Sequence, residues 1–508
     1  MGIIEKIKNY SENSKDKIAI YSESSASKSV TYKELWEFSD RLAFYIQNEF
    51  KDNKSPIVVY GHKDPFMIVC FLACVKSGRA YCPVDISVPD ERVKDIISET
   101  KSPVIFSLEK LNFDTENVLS LDEIESIINS TNDKIDESCY VKDDDVFYII
   151  FTSGSTGKPK GVQITADCLN NFLKWSSFLG GENLENKDYV YINQAPFSFD
   201  LSVMDLYTSL YTGGTLWCLE KAVQLNYGLL IESLKKSKAN VWVSTPSFAS
   251  LCLALDDFNG KNMSNIKLFL FCGETLPNST ANLLLERFPG AKVINTYGPT
   301  ESTVAMTEID VTSEVLNKYS PLPVGKPKNG TYVFIMDEKG RELPEGEKGE
   351  IVIVGDTVSV GYFNRPDITN KAFGTKTVNG TSYRLYRTGD EGYFKDGQLF
   401  YCGRIDLQIK LHGYRIELED IENNLMKIKG IKNAVVLPVK KDGIIDSLTA
   451  FVVSESKIES SLKSMIALKK ELAGFLPSYM VPKKIIFKDK IPMTNNGKVN
   501  RKKLMEEL

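Results

Sequence analysis

The chain has 508 residues, of which 42% are hydrophobic and 25% charged, with a net charge of −5. This length and composition predict two or more packed domains and exclude a disordered or fibrous chain. The small negative charge provides no basic field for nucleic acid. Because no apolar run approaches a membrane span and the N-terminal residues lack the apolar core of a signal peptide, we expect a cytoplasmic protein without membrane insertion.

Strand-like runs alternate with helical periodicity over the first 300 residues. The strand-like runs are 17–21, 56–60, 104–107, 241–244, 267–272 and 292–295, and a helical repeat covers 280–288. This alternation predicts a large α/β domain with mostly parallel sheets and helical crossovers. Ligands of such folds bind beyond the carboxyl ends of strands, so we expect the polar clusters at 152–161, 273–275 and 296–301 to line one cleft.

The pattern changes after Asp390 to short strands and two helices. Helical patterns cover 417–429 and 463–475, and strand-like runs lie at 434–439, 448–453 and 484–487. This predicts a small, mobile α+β C-terminal domain. The junction lacks a long Pro/Gly/Ser linker, which favours a tight hinge. We predict a large domain over 1–403, a hinge over 404–406 and a small domain over 407–508.

The segment TSGSTGKPKG, residues 152–161, directly follows an apolar run. Hydroxyls and backbone N–H groups freed by glycine can surround an oxyanion, while Lys158 and Lys160 supply positive charge. A Walker P-loop is excluded, because Pro159 follows the lysine and favours a return into a strand. A solvated turn is the alternative from turn chemistry alone. We interpret the segment as a phosphate-binding hairpin.

Cysteine and histidine usage limits the chemistry. The nine cysteines form no CxxC pair, and their number is odd. This pattern predicts reduced thiols rather than disulfides or a zinc site. The two histidines, His62 and His412, argue against a Ser-His-Asp or Cys-His hydrolase. The low histidine content fits better with a nucleophile that arrives already charged, such as a substrate carboxylate attacking a phosphate, than with a hydrolase. Electrostatic stabilisation would then carry the catalysis.

Six ordered motifs resemble those of adenylate-forming enzymes, the superfamily of acyl-CoA synthetases, luciferases and peptide-synthetase adenylation domains. They are TSGSTGKPKG at 152–161, NTYGPTE at 295–301, GEKGEIVIVG at 346–355, YRTGD at 386–390, GRIDLQIKLHGYRIE at 403–417 and NGKVNRKKL at 496–504. The motifs span almost the whole chain. The resemblance implies ATP-dependent activation of an acid, but it leaves the acid open.

The resemblance and side-chain chemistry together predict an ATP site. Its residues are Thr152, Ser153, Gly154, Ser155, Thr156, Gly157, Lys160, Asn295, Thr296, Tyr297, Gly298, Pro299, Thr300, Asp390, Tyr401, Cys402, Gly403, Arg404 and Lys498. Within this set, the Tyr297 ring would stack on adenine, Asn295 would pair with its exocyclic amine, and Asp390 would accept the ribose hydroxyls. We place Tyr297 in a loop because Gly298 and Pro299 follow it; a core aromatic is the alternative.

Residues 193–217, together with STPSFASLCL at 244–253 and FLFCGETLPN at 269–278, resemble the branch of this family that activates D-alanine and loads it onto a carrier protein for teichoic acid esterification. Asp200 supplies a carboxylate that can pair with a substrate ammonium; capping the helix that begins at Leu201 is the alternative. The resemblance implies that Cys272 and Val304 wall a pocket for a small side chain, with Cys272 sorting D- from L-alanine. A buried strand end is the plain alternative for Cys272.

The resemblance also assigns a catalytic lysine, a metal site and a hinge. Lys498 would bridge the D-alanine carboxylate and the ATP α-phosphate, although a solvated basic tail is the alternative from composition. Thr300 and Glu301 would hold Mg²⁺ with phosphate oxygens. Asp406 would be the hinge residue. Since the sequence ends ten residues after Lys498, we expect the phosphopantetheinylated carrier protein to be a separate chain.

Two other functions remain open on the sequence. One is a free-standing peptide-synthetase adenylation domain for another small amino acid. The other is a non-catalytic nucleotide-binding regulator, against which the intact Lys498, Asp390, Glu301 and 152–161 segment argue. Pyrophosphate exchange distinguishes all three functions.

Overall fold

The computed structural model describes residues 1–23, 28–153, 159–441, 444–454, 462–493 and 499–508. The chain forms two compact units. The larger unit comprises residues 1–85, 100–150 and 161–405, and the smaller unit comprises residues 86–99, 151–160 and 406–508. The domain limits inferred from the sequence, and the hinge at 404–406, stay predictions.

The strands are numbered in chain order. They are β1 (Ile18–Ser22), β2 (Ser29–Thr31), β3 (Ile57–Gly61), β4 (Tyr81–Asp85), β5 (Ile105–Ser107), β6 (Val118–Ser120), β7 (Val146–Thr152), β8 (Lys160–Thr165), β9 (Val190–Asn193), β10 (Thr215–Cys218), β11 (Val241–Ser244), β12 (Leu268–Phe271), β13 (Lys292–Tyr297), β14 (Thr307–Asp310), β15 (Lys326–Pro327), β16 (Thr331–Met336), β17 (Gly349–Gly355), β18 (Phe373–Val378), β19 (Thr381–Lys395), β20 (Gln398–Arg404), β21 (Gln408–Leu411), β22 (Tyr414–Glu417), β23 (Ile431–Lys441), β24 (Ile444–Ser454) and β25 (Lys484–Phe487). Each run predicted as a strand overlaps one of them, with bounds that differ by at most one residue where the run extends beyond the strand, so those predictions are confirmed.

The helices are numbered in the same way. They are α1 (Ile3–Asn13), α2 (Tyr32–Glu49), α3 (Pro65–Lys76), α4 (Asp90–Thr100), α5 (Leu121–Ser130), α6 (Ala166–Ser176), α7 (Leu201–Thr212), α8 (Lys221–Leu225), α9 (Tyr227–Ser237), α10 (Pro246–Leu253), α11 (Asn278–Arg287), α12 (Ser313–Lys318), α13 (Pro366–Ala372), α14 (Leu418–Lys427), α15 (Leu462–Leu472) and α16 (Arg501–Met505). The three predicted helical segments correspond to α11, α14 and α15.

Two mostly parallel sheets dominate the larger unit. One has the order β15-β14-β13-β12-β11-β9-β10-β1-β2, and its strands from β13 to β1 run parallel. The second has the order β6-β5-β3-β4-β7-β8, with parallel pairs from β6 to β7. Strands β16 to β20 form an antiparallel sheet. The prediction of an α/β domain with parallel sheets is confirmed.

Helices α3 and α7 are buried on every face. Such burial requires residues that are apolar or internally bonded all round the helix, as in the α3 sequence PFMIVCFLACVK. Both helices contribute to one hydrophobic core that also includes residues of β1, β3, β7 and β9. The start of α7 is therefore held by packing on all sides, which matters because Asp200 precedes it.

The smaller unit is α+β, as predicted. Its strands β23 and β24 pair in antiparallel register, and β25 joins β24 in parallel. Strands β21 and β22 form a separate hairpin. Helices α14 and α15 pack on the three-stranded sheet through a cluster that includes Ile421, Leu425, Leu468 and Leu472.

Two further expectations concern thiols and membrane spans. All nine cysteines are unpaired, and seven of them are buried; this arrangement is compatible with the predicted reduced thiols. Within the described ranges, no helix is long and apolar enough to cross a bilayer.

Lys76, the last residue of α3, is a fully buried lysine. Its ammonium donates to the Trp36 carbonyl at 3.0 Å, the Ser39 hydroxyl at 2.9 Å and the Asp40 carboxylate at 2.8 Å. It also lies 3.2 Å from the centroid of the Trp36 ring. Burial lowers the pKa of Lys76 from 10.5 to about 8, although Asp40 partly offsets the shift.

Comparing the wild type with Lys76→Met should reveal how Lys76 makes the free energy of unfolding depend on pH. Between pH 8 and 10.5 the folded lysine is neutral while the unfolded lysine is charged, so the unfolded chain binds more protons. The wild type should therefore gain stability over Lys76→Met as pH rises through this window, by on the order of 1 kcal/mol per pH unit. Denaturant unfolding of both proteins at pH 7.5, 9 and 10 tests this; a constant difference contradicts it.

Candidate active site

Two predicted nucleotide residues, Tyr297 and Asp390, meet directly. The Tyr297 hydroxyl donates to Asp390 Oδ2 at 2.5 Å, and Arg404 Nη1 donates to Asp390 Oδ1 at 3.0 Å. Arg404 also donates to the Thr388 carbonyl at 2.6 Å, which fixes the guanidinium. The Tyr401 ring lies 5.7 Å from the Tyr297 ring, measured between centroids. Three residues from three separate motifs, together with Tyr401, thus form one cluster on β13, β19 and β20.

Tyr297 departs from the sequence expectation. It is the last residue of β13 rather than a loop residue, and it is 5% exposed within a hydrophobic cluster. Burial and the neighbouring Asp390 carboxylate raise the pKa of Tyr297 well above 10. The phenol therefore stays protonated at neutral pH and can act as a donor to Asp390. Adenine stacking on its ring stays a prediction.

Asn295 and Thr296 lie on the same strand, immediately before Tyr297. Asn295 Nδ2 donates to the Pro323 carbonyl at 2.9 Å, and the Thr296 hydroxyl donates to the Phe271 carbonyl at 2.8 Å. Because Pro323 holds the amide nitrogen, Asn295 presents its Oδ1 as an acceptor. An acceptor is what an exocyclic amine requires, so the amide orientation suits the predicted adenine contact.

The turn after Pro299 carries backbone strain. Thr303 and Val304 have φ values of 59° and 67°, a left-handed conformation that β-branched residues rarely adopt. The Thr303 hydroxyl stabilises the turn by donating to the Thr357 carbonyl at 2.8 Å. A Cβ on Gly298 would lie 2.5 Å from the Ala305 Cα. The close return of this turn explains why residue 298 is glycine.

Cys272 and Val304 come together as the resemblance implied. Cys272 follows β12, and its thiol donates to the Val304 carbonyl at 3.5 Å. Both residues are buried, at 3% and 1% exposure. The strand-end alternative for Cys272 is compatible with a wall position. The contact ties Cys272 to the backbone of the strained turn that carries Val304.

Asp200 precedes α7 with helical backbone angles, φ −62° and ψ −27°. Its carboxylate makes no capping hydrogen bond with the described residues of α7, so the helix-cap alternative is wrong. A buried tyrosine missed by the sequence analysis, Tyr148 of β7, lies within electrostatic reach. Burial raises the pKa of Tyr148 well above 10, and the Asp200 charge adds to the rise. In the described ranges the Tyr148 hydroxyl meets no hydrogen-bond partner.

Thr300 and Glu301 share a short 3-10 turn after Pro299, and both are buried. Tyr362, another residue missed by the sequence analysis, donates its hydroxyl to Glu301 Oε1 at 2.7 Å. The Glu301 carbonyl accepts from the Ser359 N–H at 2.9 Å. The side chain and backbone of Glu301 are thus held by the segment 359–362. The sequence carried no local signal for this pairing across 61 residues.

The predicted phosphate hairpin belongs to the smaller unit, and its tip, Gly154, Ser155, Thr156 and Gly157, lies outside the described residues. The Ser153 hydroxyl donates to the Arg415 carbonyl at 2.8 Å, and Lys160 Nζ lies 3.8 Å from the Glu417 carboxylate. The strand β8 follows Pro159, so the predicted return into a strand is confirmed. Thr152 ends β7.

The remaining predicted residues divide between the two units. Cys402 is exposed on β20, and Gly403 has a φ of 127°. Asp406 opens the last segment of the smaller unit and accepts the Gln408 N–H at 3.1 Å. Lys498 lies outside the described residues. The shared cleft predicted for the three polar loops also stays a prediction.

Family models match both parts of the chain. The model described as AMP-binding enzyme matches residues 7–363, and the model for the AMP-binding enzyme C-terminal domain matches residues 420–498. The chain belongs to the AMP-binding enzyme family. The prediction of an adenylate-forming ligase that uses ATP is therefore confirmed.

Curated relatives of this AMP-binding enzyme match it over its whole length. D-alanine--D-alanyl carrier protein ligases from Bacillus cereus strain AH187 and Bacillus licheniformis strain ATCC 14580 are each 48% identical, with 100% of both chains covered. A solved NRPS protein containing adenylation and PCP domains has a TM-score of 0.84 at 24% identity, covering 100% of this chain and 84% of the other. That structure supports the fold, and the curated relatives support the resemblance drawn from residues 193–217.

Proposed function

We propose that this chain activates D-alanine with ATP, forms D-alanyl-AMP and releases pyrophosphate. In a second half-reaction the phosphopantetheine thiol of a separate D-alanyl carrier protein displaces AMP. The two half-reactions together form the first stage of teichoic acid D-alanylation, which takes place in the cytoplasm. The observation that carries the proposal is the 48% identity, over the full length, to relatives that bear this activity in their names.

The amino-acid pocket has a charged end and a small apolar end. Asp200 supplies the negative charge for the D-alanine ammonium, and its lack of a capping role leaves the carboxylate to substrate and neighbouring side chains. Cys272 and Val304 form the apolar wall, fixed to each other through the thiol and carbonyl. A wall built on a strained turn gives little room to move, which suits discrimination against a larger side chain.

The nucleotide end uses groups that the structure has already oriented. Asp390 accepts hydrogen bonds from Tyr297 and Arg404, so its carboxylate is held in place before it meets the ribose hydroxyls. Asn295 presents Oδ1 to the adenine amine. This orientation reduces the ordering cost of nucleotide binding.

The residues present fit a magnesium ion that is held largely by phosphate oxygens. Among the residues that the structure describes, no cluster of three or more His, Cys, Asp or Glu side chains could hold a metal by itself. Mg²⁺ usually takes one or two protein ligands plus substrate oxygens. Glu301, oriented by Tyr362, and the Thr300 hydroxyl would supply them. When bound, the ion would neutralise negative charge on the phosphates.

The adenylation step needs no general base, because the D-alanine carboxylate is already ionised. Its oxygen forms a bond to the α-phosphorus, and the bond to the pyrophosphate oxygen breaks. His62 is engaged elsewhere: its Nδ1 donates to Asp85 at 2.6 Å, and its Nε2 accepts the Lys221 N–H at 3.0 Å. Lys498 would stabilise the charge that develops on the α-phosphate.

Amino-acid-dependent ATP/pyrophosphate exchange tests the proposed function. D-alanine, L-alanine, glycine and D-serine are compared at equal concentrations. We expect D-alanine to drive the fastest exchange. A preference for another acid would retain the family and reject the substrate. ATP binding without exchange would instead support the nucleotide-binding regulator. Transfer of labelled D-alanine to a holo carrier protein, with the apo carrier as control, tests the second step.

Cys272→Ala should weaken the preference for D- over L-alanine. The substitution removes the Sγ atom that contacts the Val304 carbonyl, so the wall recedes and L-alanine is less strongly excluded. We expect the ratio of kcat/KM values to fall by about tenfold, the order expected for one small group in an apolar pocket. Exchange kinetics with each enantiomer measure the ratio. An unchanged ratio would show that Cys272 does not form part of the pocket wall.

A further inference from the structure

A second fully buried lysine, Lys63, lies in the loop after β3 and is 1% exposed. Its ammonium donates to three acceptors at the end of β9: the Asn193 carbonyl at 2.9 Å, Asn193 Oδ1 at 2.6 Å and the Gln194 carbonyl at 2.9 Å. Burial lowers the pKa of Lys63 to about 8. All three acceptors belong to two consecutive residues, so one side chain fixes this point of the backbone.

Asn193 extends the contact in two directions. Its Nδ2 donates to the Ala195 carbonyl at 3.1 Å and to Asp205 Oδ1 at 2.9 Å. Asp205 lies on α7, so Lys63 and Asn193 tie the end of β9 to the helix that follows Asp200. Burial raises the pKa of Asp205 well above 3.8, and its Oδ2 meets no hydrogen-bond partner in the part of the chain that is described.

The segment 194–200 joins these two anchored elements and ends at Asp200. Phe197 packs edge-on against Phe71 of α3, with 5.8 Å between ring centroids. The Phe199 N–H donates to the Pro196 carbonyl at 2.9 Å. The segment therefore has an apolar anchor in its middle and the Lys63 network at its start.

Lys63 also connects the two parallel sheets of the larger unit. It follows a strand of the six-stranded sheet and binds the end of a strand of the nine-stranded sheet. Burying an ammonium is costly even when it is paired, so this arrangement is a poor way to gain stability alone. A role in fixing geometry accounts for it better, because a displacement of about 1 Å in a substrate-binding group can cost about a hundredfold in rate.

We propose that Lys63 is a positioning residue for the amino-acid pocket: it fixes the end of β9 through Asn193 and Gln194 and thereby sets the place of Asp200. The inference rests on the proposed function, since it names D-alanine as the substrate whose binding depends on Lys63. Lys63 itself makes no bond to substrate in this scheme.

Lys63→Met is compared with Lys76→Met. The two lysines are matched, because both are fully buried, both donate three hydrogen bonds, and burial lowers both pKa values to about 8. Lys76 binds residues of α2 instead of the β9 end. We expect Lys63→Met to raise the KM for D-alanine about tenfold or more, with the ATP dissociation constant unchanged. Lys76→Met should lower the unfolding midpoint without changing this KM.

Amide hydrogen exchange across residues 194–200 gives a readout that needs no substrate. Lys63→Met should accelerate exchange there, and Lys76→Met should not. Equal KM values for the wild type and Lys63→Met, or an equal rise in both variants, overturn the proposal. If the wild type shows no D-alanine-dependent pyrophosphate exchange, the proposed function fails, while hydrogen exchange still decides whether Lys63 holds the segment.

If Lys63→Met does not fold, Lys63→Arg provides the same test of the proposal. Arginine keeps the positive charge, but its planar fork cannot converge on three acceptors as a single ammonium does. We expect a raised KM for D-alanine and faster exchange in 194–200 with a smaller loss of stability. Wild-type values for both quantities overturn the proposal.

Discussion

Asp200→Asn should lower kcat/KM for D-alanine by about a hundredfold, because the substrate ammonium would lose its counter-charge in the pocket. The change is isosteric, so packing at the start of α7 is kept. Asp200 makes no capping hydrogen bond, and the variant should therefore unfold at nearly the wild-type midpoint. The ATP dissociation constant should not change. Pyrophosphate exchange with varied D-alanine, together with nucleotide titration, measures both quantities.

Ser120→Ala is the control for a capping role. Ser120 caps α5 through a capping box with Glu123, and it lies outside the predicted pockets. Its loss should cost about 1 kcal/mol of stability without affecting the D-alanine KM. The two variants should thus show opposite patterns. If Asp200→Asn lost stability and kept its kcat/KM for D-alanine, Asp200 would have no role in binding the ammonium.

The parts of the fold that followed from the sequence are those with a local cause. β-branched and aromatic runs such as 241–244 formed buried parallel strands, and the helical period at 417–429 gave α14. Pro159 after Lys158 correctly predicted a strand in place of the P-loop helix. Each of these features depends on backbone and propensity rules that act within a few residues.

The parts that did not follow from the sequence depend on distant contacts. Tyr362 orients Glu301 across 61 residues, and Lys63 binds Asn193 across 130. A single buried lysine or tyrosine has no periodic signal, so its partner emerges only from the folded chain. Tyr297 shows the same limit in another form. Gly298 and Pro299 predicted a loop, but pairing with β14 extended the strand to include Tyr297.

The Asp200 alternatives also needed the structure. An aspartate directly before a helix fits both a cap and a binding group, because both use the same oxygen atoms. Asp200 directly precedes α7 with helical backbone angles, and its carboxylate makes no capping hydrogen bond there. The conformation of Asp200 thus argues against the helix-cap alternative, and ammonium binding stays a prediction.

Lys498→Ala should slow the formation of D-alanyl-AMP by at least about a hundredfold and leave ATP binding nearly unchanged. A group that stabilises charge only as the α-phosphate becomes five-coordinate lowers the barrier without strengthening ground-state binding. For the same reason, transfer from preformed D-alanyl-AMP to the carrier thiol should keep its rate. Single-turnover measurements of the two half-reactions separate these effects, with nucleotide titration as the measure of binding.

Lys502→Ala decides between this role and a solvated basic tail. Lys502 is exposed on α16, four residues after Lys498, and carries the same charge. If general positive charge near the C-terminus were enough, the two variants would lose similar activity. Because a transition-state contact depends on position, only Lys498→Ala should fail in adenylation. Equal damage to both half-reactions in Lys498→Ala would mean that the residue supports the small domain and does not act at the phosphate.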